Sequence, residues 1–473
     1  MNITLIWFRK DLRLTDNPAF ISACNYSEAV IPLYILDKTT NSLGGAQQWW
    51  IHYSLQALAD SLQKEGLKLV LRQGNPLDII VSLTESLPIQ TVYWNHCYEP
   101  LAIKRDKKIK SVLQQSGIEV KTINGSLLNE PWKIKNQQGD YYKIFTSFWK
   151  QCLQVTTVPE KISLTNSPKS YDVLSDRLEE WNLLPGKPNW ASAFAKHWQP
   201  GEEGAHTKLN EFIEHHLTNY KIARDKPAEN ATSKLSPHLH FGEISPWDVW
   251  RAVESAKLDT SCNLSSAEQF LSEMGWREFS YHLLYHFPAL PYENYKTEFD
   301  AFPWQKDDAA LKCWQNGVTG YTIIDAGMRE LWTTGYMHNR VRMIVASFLT
   351  KDLLIDWRLG ADWFFDTLVD ADLASNSANW QWVAGCGVDA APYFRIFNPV
   401  LQSQKFDPDG SYIRRWVPEL SQLKNSSIHA PWMGDSASQR LVGTKYPKPI
   451  IDHQKARERA LDYYKHLKKE VSK

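Results

Sequence analysis

Five short apolar runs open the chain: Ile3–Arg9 (ITLIWFR), Val30–Leu36 (VIPLYIL), Leu67–Gln73 (LKLVLRQ), Thr91–His96 (TVYWNH) and Ile118–Ile123 (IEVKTI). Each is too short for a buried helix and rich in β-branched and aromatic residues, so each reads as a buried strand. Between them apolar positions recur at helical spacing, as in Ala46–Leu62 and Ile103–Gln115. Strands alternating with helices predict an α/β domain, a doubly wound parallel sheet, over residues 1–128. From 129 to 205 the periodicity fails and Pro, Ser and Gly interrupt, which predicts a connector packed over the surface. Beyond 205 the period is helical: His206–Tyr220, Ser266–Phe287, Thr322–Gly335, Asn339–Leu354 and the closing charged stretch HQKARERALDYYKHLKKE. Residues 206–473 are therefore expected to form an all-α C-terminal domain.

Charge narrows the choice of partners. Lys plus Arg number 53 and Asp plus Glu also number 53. A nucleic acid would have to meet a local basic patch, because the whole molecule exerts no long-range pull. The densest basic run, KRDKKIK (Lys104–Lys110), falls on a helix of the α/β part and reads as a solvated face. The six Cys are scattered without a C-x-x-C pair, which gives no zinc or iron–sulfur signature and suits reduced thiols. The opening MNITLIWFRKDLRL has too short an apolar run for a signal peptide, and no stretch of 18 apolar residues follows. A cytoplasmic protein without membrane contact is expected. FRKDLRLTDNP stands after the first strand instead of G-x-G-x-x-G, which argues against a nicotinamide-linked oxidoreductase of a small molecule.

Aromatic residues are abundant, with 21 Trp, 20 Tyr and 18 Phe. Most belong in cores. The stretch Asp370–Ala390 (DADLASNSANWQWVAGCGVDA) is unusual in crowding acids, amides and indoles. In ATSKLSPHLHFG, Thr232, Ser233 and Ser236 offer hydroxyls near a helix start, where a phosphate or a simple N-cap is satisfied. His238 and His240 lack further ligands and read as structural. Glu273, Trp276 and Arg277 share one helix face by their spacing, as do Asn339 and Met343, one turn apart.

WFRKDLRLTDNP, TSKLSPHLHFGEISP, EMGWREF, GYMHNRVRMIVASFL and LVDADLASNSANWQWVAGCGVDAAPYFRIFNP resemble the DNA photolyase/cryptochrome family over essentially the whole chain. They are most like bacterial cyclobutane pyrimidine dimer photolyases of the group related to plant cryptochromes. The resemblance implies an N-terminal α/β antenna domain and a C-terminal helical domain that binds FAD. It implies light-driven repair, by a carbon–carbon lyase, of cyclobutane pyrimidine dimers in UV-damaged DNA. An electron would pass from excited FADH⁻ to the flipped-out dimer, in a monomer with no obligate protein partner.

Residue by residue, the resemblance places the FAD pyrophosphate at Tyr220, Thr232, Ser233, Leu235 and Ser236. Position 270 is Phe270 and offers no indole there. Asp372 would accept from the flavin N3–H and Asn376 would face N5, with Asp370 as the expected partner of Arg342. Glu273 would hydrogen-bond the dimer, and Trp276 and Trp382 would wall it. Asn339 and Met343 stand where (6-4) photolyases place His, which favours the cyclobutane lesion. Trp304, Trp357 and Trp380 match the family's electron-transfer chain. Arg224, Arg277, Arg340 and Lys405, with Arg414 and Arg415, are candidate DNA contacts, and Arg277 is equally a candidate flavin contact. The antenna stretch LGGAQQWWIHYSLQAL is similar to that of plant cryptochromes and implies methenyltetrahydrofolate, with 8-hydroxy-5-deazaflavin as the alternative. Leu101 and Ala102 replace the Asn-Glu pair by which some bacterial photolyases hold folate. Trp49 and Trp50 are open between stacking on a pterin and packing in a core. The alternative function is a cryptochrome photoreceptor without repair. Against it stand Asn376, where plant cryptochromes carry Asp, Trp382, where DASH cryptochromes carry Tyr, and the expected lack of a long disordered extension.

Overall fold

The computed structural model describes residues 2–37, 43–390 and 395–471. Residues 391–394 of the last quoted motif lie outside them. The predicted strands form as β1 (Ile3–Phe8), β2 (Ala29–Leu36), β3 (Val70–Gln73), β4 (Ile89–Asn95) and β5 (Glu119–Ile123). They run parallel in the order β3-β2-β1-β4-β5, and a two-residue strand, β6 (Lys169–Ser170), pairs with the start of β2. β1 and β2 are buried along their whole length, which is why they read as continuous apolar runs rather than alternating ones. Leu5 faces Ile31 on one side and Val92 on the other, within a core that also holds Trp7 and Trp94.

The crossovers are α1 (Pro18–Tyr26), α2 (Gly45–Lys64), α3 (Pro76–Ser86) and α4 (Pro100–Gln115). Asn17 and Asn75 cap α1 and α3 with their side chains, each followed by proline at the first helical position. The later helices include α5 (Phe145–Val155), α6 (Glu202–His215), α7 (Tyr220–Ala223), α8 (Ser236–His240), α9 (Pro246–Ala256) and α10 (Leu264–His286). Then come α11 (Asp308–Gln315), α12 (Thr322–Thr334), α13 (Asn339–Ser347), α14 (Trp357–Thr367), α15 (Leu373–Ala384) and α16 (Pro399–Phe406). A charged helix, His453–Val471, closes the described chain. Among the described residues, no helix is long and apolar enough to cross a membrane.

Two compact units result. One comprises Met1–Asn219, Ser233–Pro288 and Val369–Ala371; the other comprises Tyr220–Thr232, Ala289–Leu368 and Asp372–Lys473. This partition differs from the one expected from the sequence, 1–128, 129–205 and 206–473. Much of the expected connector is irregular, yet it contains α5, whose Phe145, Phe148 and Cys152 form a buried stripe. The helix expected over Asn339–Leu354 also differs. α13 ends at Ser347 and the chain widens into a π-helical turn, Phe348–Asp352. There the Thr350 hydroxyl donates back to the Ala346 carbonyl at 2.8 Å, competing with the regular ladder.

The loop after β1, where a phosphate-binding fingerprint was missing, is a clasp. The buried Arg13 guanidinium donates to the carbonyls of Thr15, Asp16, Gly125 and Gly242 at 2.8–3.1 Å. Leu12 N–H donates to the Phe241 carbonyl at 3.1 Å. Gly242 has φ +66°, and a Cβ there would lie 2.1 Å from the Lys10 carbonyl oxygen. The loop therefore presses directly on the turn that ends α8. Arg13→Met leaves those buried acceptors without donors. It should cost at least about 3 kcal/mol in chemical denaturation. A loss of about 1 kcal/mol or less, the size of a surface change, would show that the clasp is dispensable.

Candidate functional site

In the first unit the candidate residues lie on α8, α10 and the turn before α8. Ser233 Oγ accepts from Leu235 N–H at 3.4 Å, and Leu235 is buried. Ser236 begins α8, and its hydroxyl donates to Asp370 Oδ2 at 2.6 Å. His238 and His240 are structural, as expected. His238 Nδ1 lies 2.5 Å from Glu243, whose other oxygen accepts from Trp50 Nε1–H at 2.9 Å. His240 Nε2 lies 3.0 Å from Gln47 Nε2, which also donates to the Ala371 carbonyl at 2.7 Å. Trp50 is thus a buried core residue. Trp49 is buried as well, against Tyr53, Trp50 and Phe194. Both indoles are spent on packing, which removes them as a pterin stack.

α10 carries Glu273, Trp276 and Arg277 on a half-buried face, as their spacing requires. Gln269 Nε2 donates to Glu273 Oε1 at 2.8 Å, one turn earlier. The Trp276 ring stacks on Phe145 at 3.7 Å between centroids. Arg277 behaves differently from its two neighbours. Its guanidinium donates to the Ser126 carbonyl at 2.9 Å and the Leu239 carbonyl at 3.4 Å, and lies over the Tyr281 ring. Its side chain is only 16% exposed. Arg277 thus clamps two backbone segments with its guanidinium. The adjacent Glu278 is buried and accepts from Asn129 N–H at 2.9 Å. Burial pushes its carboxyl up to about 7, with Arg277 pulling the other way.

The basic run on α4 is only partly a solvated face. Lys104, Lys107 and Lys108 are exposed, but Arg105 turns inward to Asp37 and Asp106 and lies 4.8 Å from the Trp7 ring. Arg9 joins it, 4.3 Å over the same ring and paired with Asp106 at 3.0 Å. Arginines, aspartates and an indole thus fill the carboxyl end of β1 and its neighbours, where open α/β sheets usually take a ligand.

In the second unit, Asp372 caps α15, accepting from Ser375 N–H at 2.9 Å. Asn376, one turn on, donates from Nδ2 to the Ala361 carbonyl at 3.0 Å. This fixes the amide and leaves Oδ1 as an acceptor without a protein donor among the described residues. That acceptor fits a flavin ring edge, and in the first unit the Ser233 hydroxyl is of the type that meets a phosphate. Taken within its own unit, each group is of a type that FAD uses. Tyr220 is buried under Arg224, whose guanidinium lies 5.5 Å from its ring. Thr232 is half-buried. Arg342 Nε donates to the Met337 carbonyl at 2.7 Å.

Asn339 is exposed and Met343 half-buried on α13, one turn apart. Between them Arg340 pairs with Asp225 at 2.8 Å and lies 4.5 Å over the Phe406 ring, which Lys405 also approaches at 5.1 Å. Arg415 donates to the Ala228 carbonyl at 3.2 Å. Arg414 is engaged with the carbonyls of Asp409, Ser421 and Leu423.

Trp380 and Trp357 are buried and Trp304 is half-buried. Trp357 Nε1–H donates to Asn294 Oδ1 at 2.9 Å, and Trp304 lies 4.5 Å from Phe302. A Cβ on Gly360 would lie 2.2 Å from the Trp380 ring, so that glycine admits Trp380 against α14. Phe364 and Trp314 complete its surroundings at 5.1 and 6.3 Å. Trp382 lines a cavity with Lys351, Arg395 and Phe397, whose volume is about 10 Å³. Sequence reasoning missed Phe145, Gln269, Asp225 and Trp314. Only the i, i+4 spacing of Gln269 and Glu273 was readable in advance; the others are contacts across the fold.

A family model described as DNA photolyase matches residues 4–169, and one described as the FAD binding domain of DNA photolyase matches residues 270–466. The chain is 49% identical to a deoxyribodipyrimidine photo-lyase of Agrobacterium fabrum, over 98% of each chain. It is 38% identical to cryptochrome-2 of Arabidopsis thaliana, over 96% of this chain and 77% of the relative. The crystal structure of a bacterial class III photolyase from Agrobacterium tumefaciens superposes with a TM-score of 0.96 at 48% identity, over 99% of this chain and 98% of that one.

The raised Glu278 carboxyl favours the folded state only while protonated. Its contribution is complete below about pH 4.5 and declines as the pH rises through about 7. Glu278→Gln keeps an acceptor for Asn129 N–H but cannot ionise. The melting temperature of the parent should therefore fall relative to the variant between pH 5 and pH 8. Parallel curves would mean that Glu278 stays ionised throughout.

Proposed function

The chain belongs to the DNA photolyase/cryptochrome family, and from that premise we propose that it is a deoxyribodipyrimidine photo-lyase that carries FAD and repairs cyclobutane pyrimidine dimers in DNA with light. The observation that carries the reading is the half-buried face of α10, where an indole and a carboxylate stand side by side. A flipped-out dimer needs both: a flat apolar wall, and an acceptor for its base edges. The chemistry FAD supplies when bound is light-driven transfer of one electron to the dimer and its return after the ring opens.

The protein's part is position and polarity. Tyr220, Thr232, Ser233, Leu235 and Ser236 hold the pyrophosphate. Asp372, Asp370 and Arg342 answer the polar edge of the flavin. Asn376 meets N5 with a neutral amide oxygen, which accepts a hydrogen bond and has no proton of its own to deliver there. Trp276 and Trp382 wall the dimer, Glu273 accepts from a ring N–H of its bases, and Asn339 and Met343 complete the surface. Trp304, Trp357 and Trp380 carry electrons inward. Arg224, Arg340 and Lys405, with Arg415, meet the DNA phosphates. We assign the antenna as methenyltetrahydrofolate rather than 8-hydroxy-5-deazaflavin. What supports this is the set of side chains at the carboxyl end of β1, which occupies the crevice a flat nucleotide-like chromophore would use. The site for folate then lies away from Trp49 and Trp50. A monomer working in the cytoplasm on UV-damaged DNA completes the reading, and six free thiols suit that compartment.

The reduced protein, illuminated with an oligonucleotide holding one thymine dimer, should restore thymines that a dark control does not, and should leave a (6-4) lesion unrepaired. No light-dependent repair, or repair of the (6-4) lesion alone, would overturn the assignment. Glu273→Ala should lower repair yield more than dimer affinity. Binding should weaken with salt, and Lys405→Ala should reduce the slope of log affinity against log salt by about one. Arg277→Lys, at a buried clamp, should change stability and leave that slope unaltered.

A further inference from the structure

α5 was legible only as part of a connector, yet its sequence KIFTSFWKQC places Phe145, Phe148 and Cys152 on one helical stripe. That stripe packs on α10. Gly275 is what permits the approach: a Cβ there would lie 2.5 Å from the Trp149 ring, so any side chain would push α5 away. With α5 seated, Phe148 meets Phe279 at 5.2 Å, and Phe145 lies flat against Trp276, at 3.7 Å and 10° between planes. The edge of the same indole is met by Phe279 at 5.9 Å and 75°. Phe145 is itself buried, whereas Trp276 is half-buried.

We propose that Phe145 is a positioning residue for dimer recognition: it backs the rear face of Trp276 and holds the plane of the indole so that its front face is presented to the lesion. The inference rests on the reading of Trp276 as a wall of the dimer site. A half-exposed tryptophan without backing samples several rotamers, and a ligand that stacks on it must freeze them. With Phe145 in place that ordering is complete before DNA arrives, so the wall costs the complex little entropy. The indole is gripped from behind by a ring on a separate helix, and the proposal follows from that arrangement.

The test uses the FAD-loaded full chain and two oligonucleotides, one with a single thymine dimer and one undamaged. Phe145→Ala should weaken binding of the dimer by about three- to tenfold, the worth of one aromatic pair, with FAD content and affinity for undamaged DNA unchanged. Phe145→Tyr should restore the dimer affinity, because it restores the ring. Trp276→Ala should weaken dimer binding by itself, and Phe145→Ala added to it should have no further effect. If Trp276→Ala weakens binding but Phe145→Ala changes it by less than about twofold, the positioning role is wrong and the reading of Trp276 stands. If Trp276→Ala has no effect, both fail. If Phe145→Ala weakens binding equally in the Trp276→Ala background, its effect does not pass through the indole and the proposal is overturned. Should Phe145→Ala not fold, Phe145→Leu removes the ring while filling the core, and the same double-mutant comparison applies.

Discussion

Two buried guanidinium groups hold the same pair of backbone segments. Arg13 reaches the carbonyls of Gly125 and Gly242, and Arg277 those of Ser126 and Leu239. One arginine follows the first strand and the other sits in the middle of α10, yet they converge on neighbouring carbonyls. Together they fix the turn after β5 and the exit of α8 against each other. A carbonyl buried without a donor is costly, so neither segment can drift without exposing these acceptors. The hydroxyl of Ser236, bonded to Asp370, and the α10 face bearing Glu273 and Trp276 take their places from this lock.

The sheet was readable because parallel strands are buried on both faces, so β1 and β2 are apolar from end to end. The later helices were readable from a period of 3.6, and the site residues from motifs dense enough to identify a family. Contacts between distant segments left no local trace. Spacing set Arg277 beside Glu273 and Trp276 but could not show its backbone partners, which lie 151 and 38 residues away in sequence. Trp49 and Trp50 looked available because composition cannot show that Glu243 accepts from one and Phe194 covers the other. α5 was hidden by the prolines and serines that flank it.

The surroundings of the aromatic residues divide them by exposure. Trp50, Trp94 and Trp314 lie in cores with their rings enclosed. Trp276 and Trp304 keep part of their surface open, and Trp357 has its N–H fixed by Asn294. A chain this rich in tryptophan cannot be sorted by counting. Exposure marks an indole that something other than protein can reach, whereas Trp357 and Trp380 are buried and are singled out only by the family motif.

The way residues 126–129 and α5 are fastened to α10 also bears on how the molecule can be cut. Ser126 and Asn129 are held by Arg277 and Glu278, and Phe145 and Trp149 lie on Trp276 and Gly275. The stretch that reads as a tether is therefore upholstery for α10. A fragment trimmed to begin at the first helix past it would carry Glu273 and Trp276 and still lose the padding behind them. Modularity in this chain follows contact rather than sequence order.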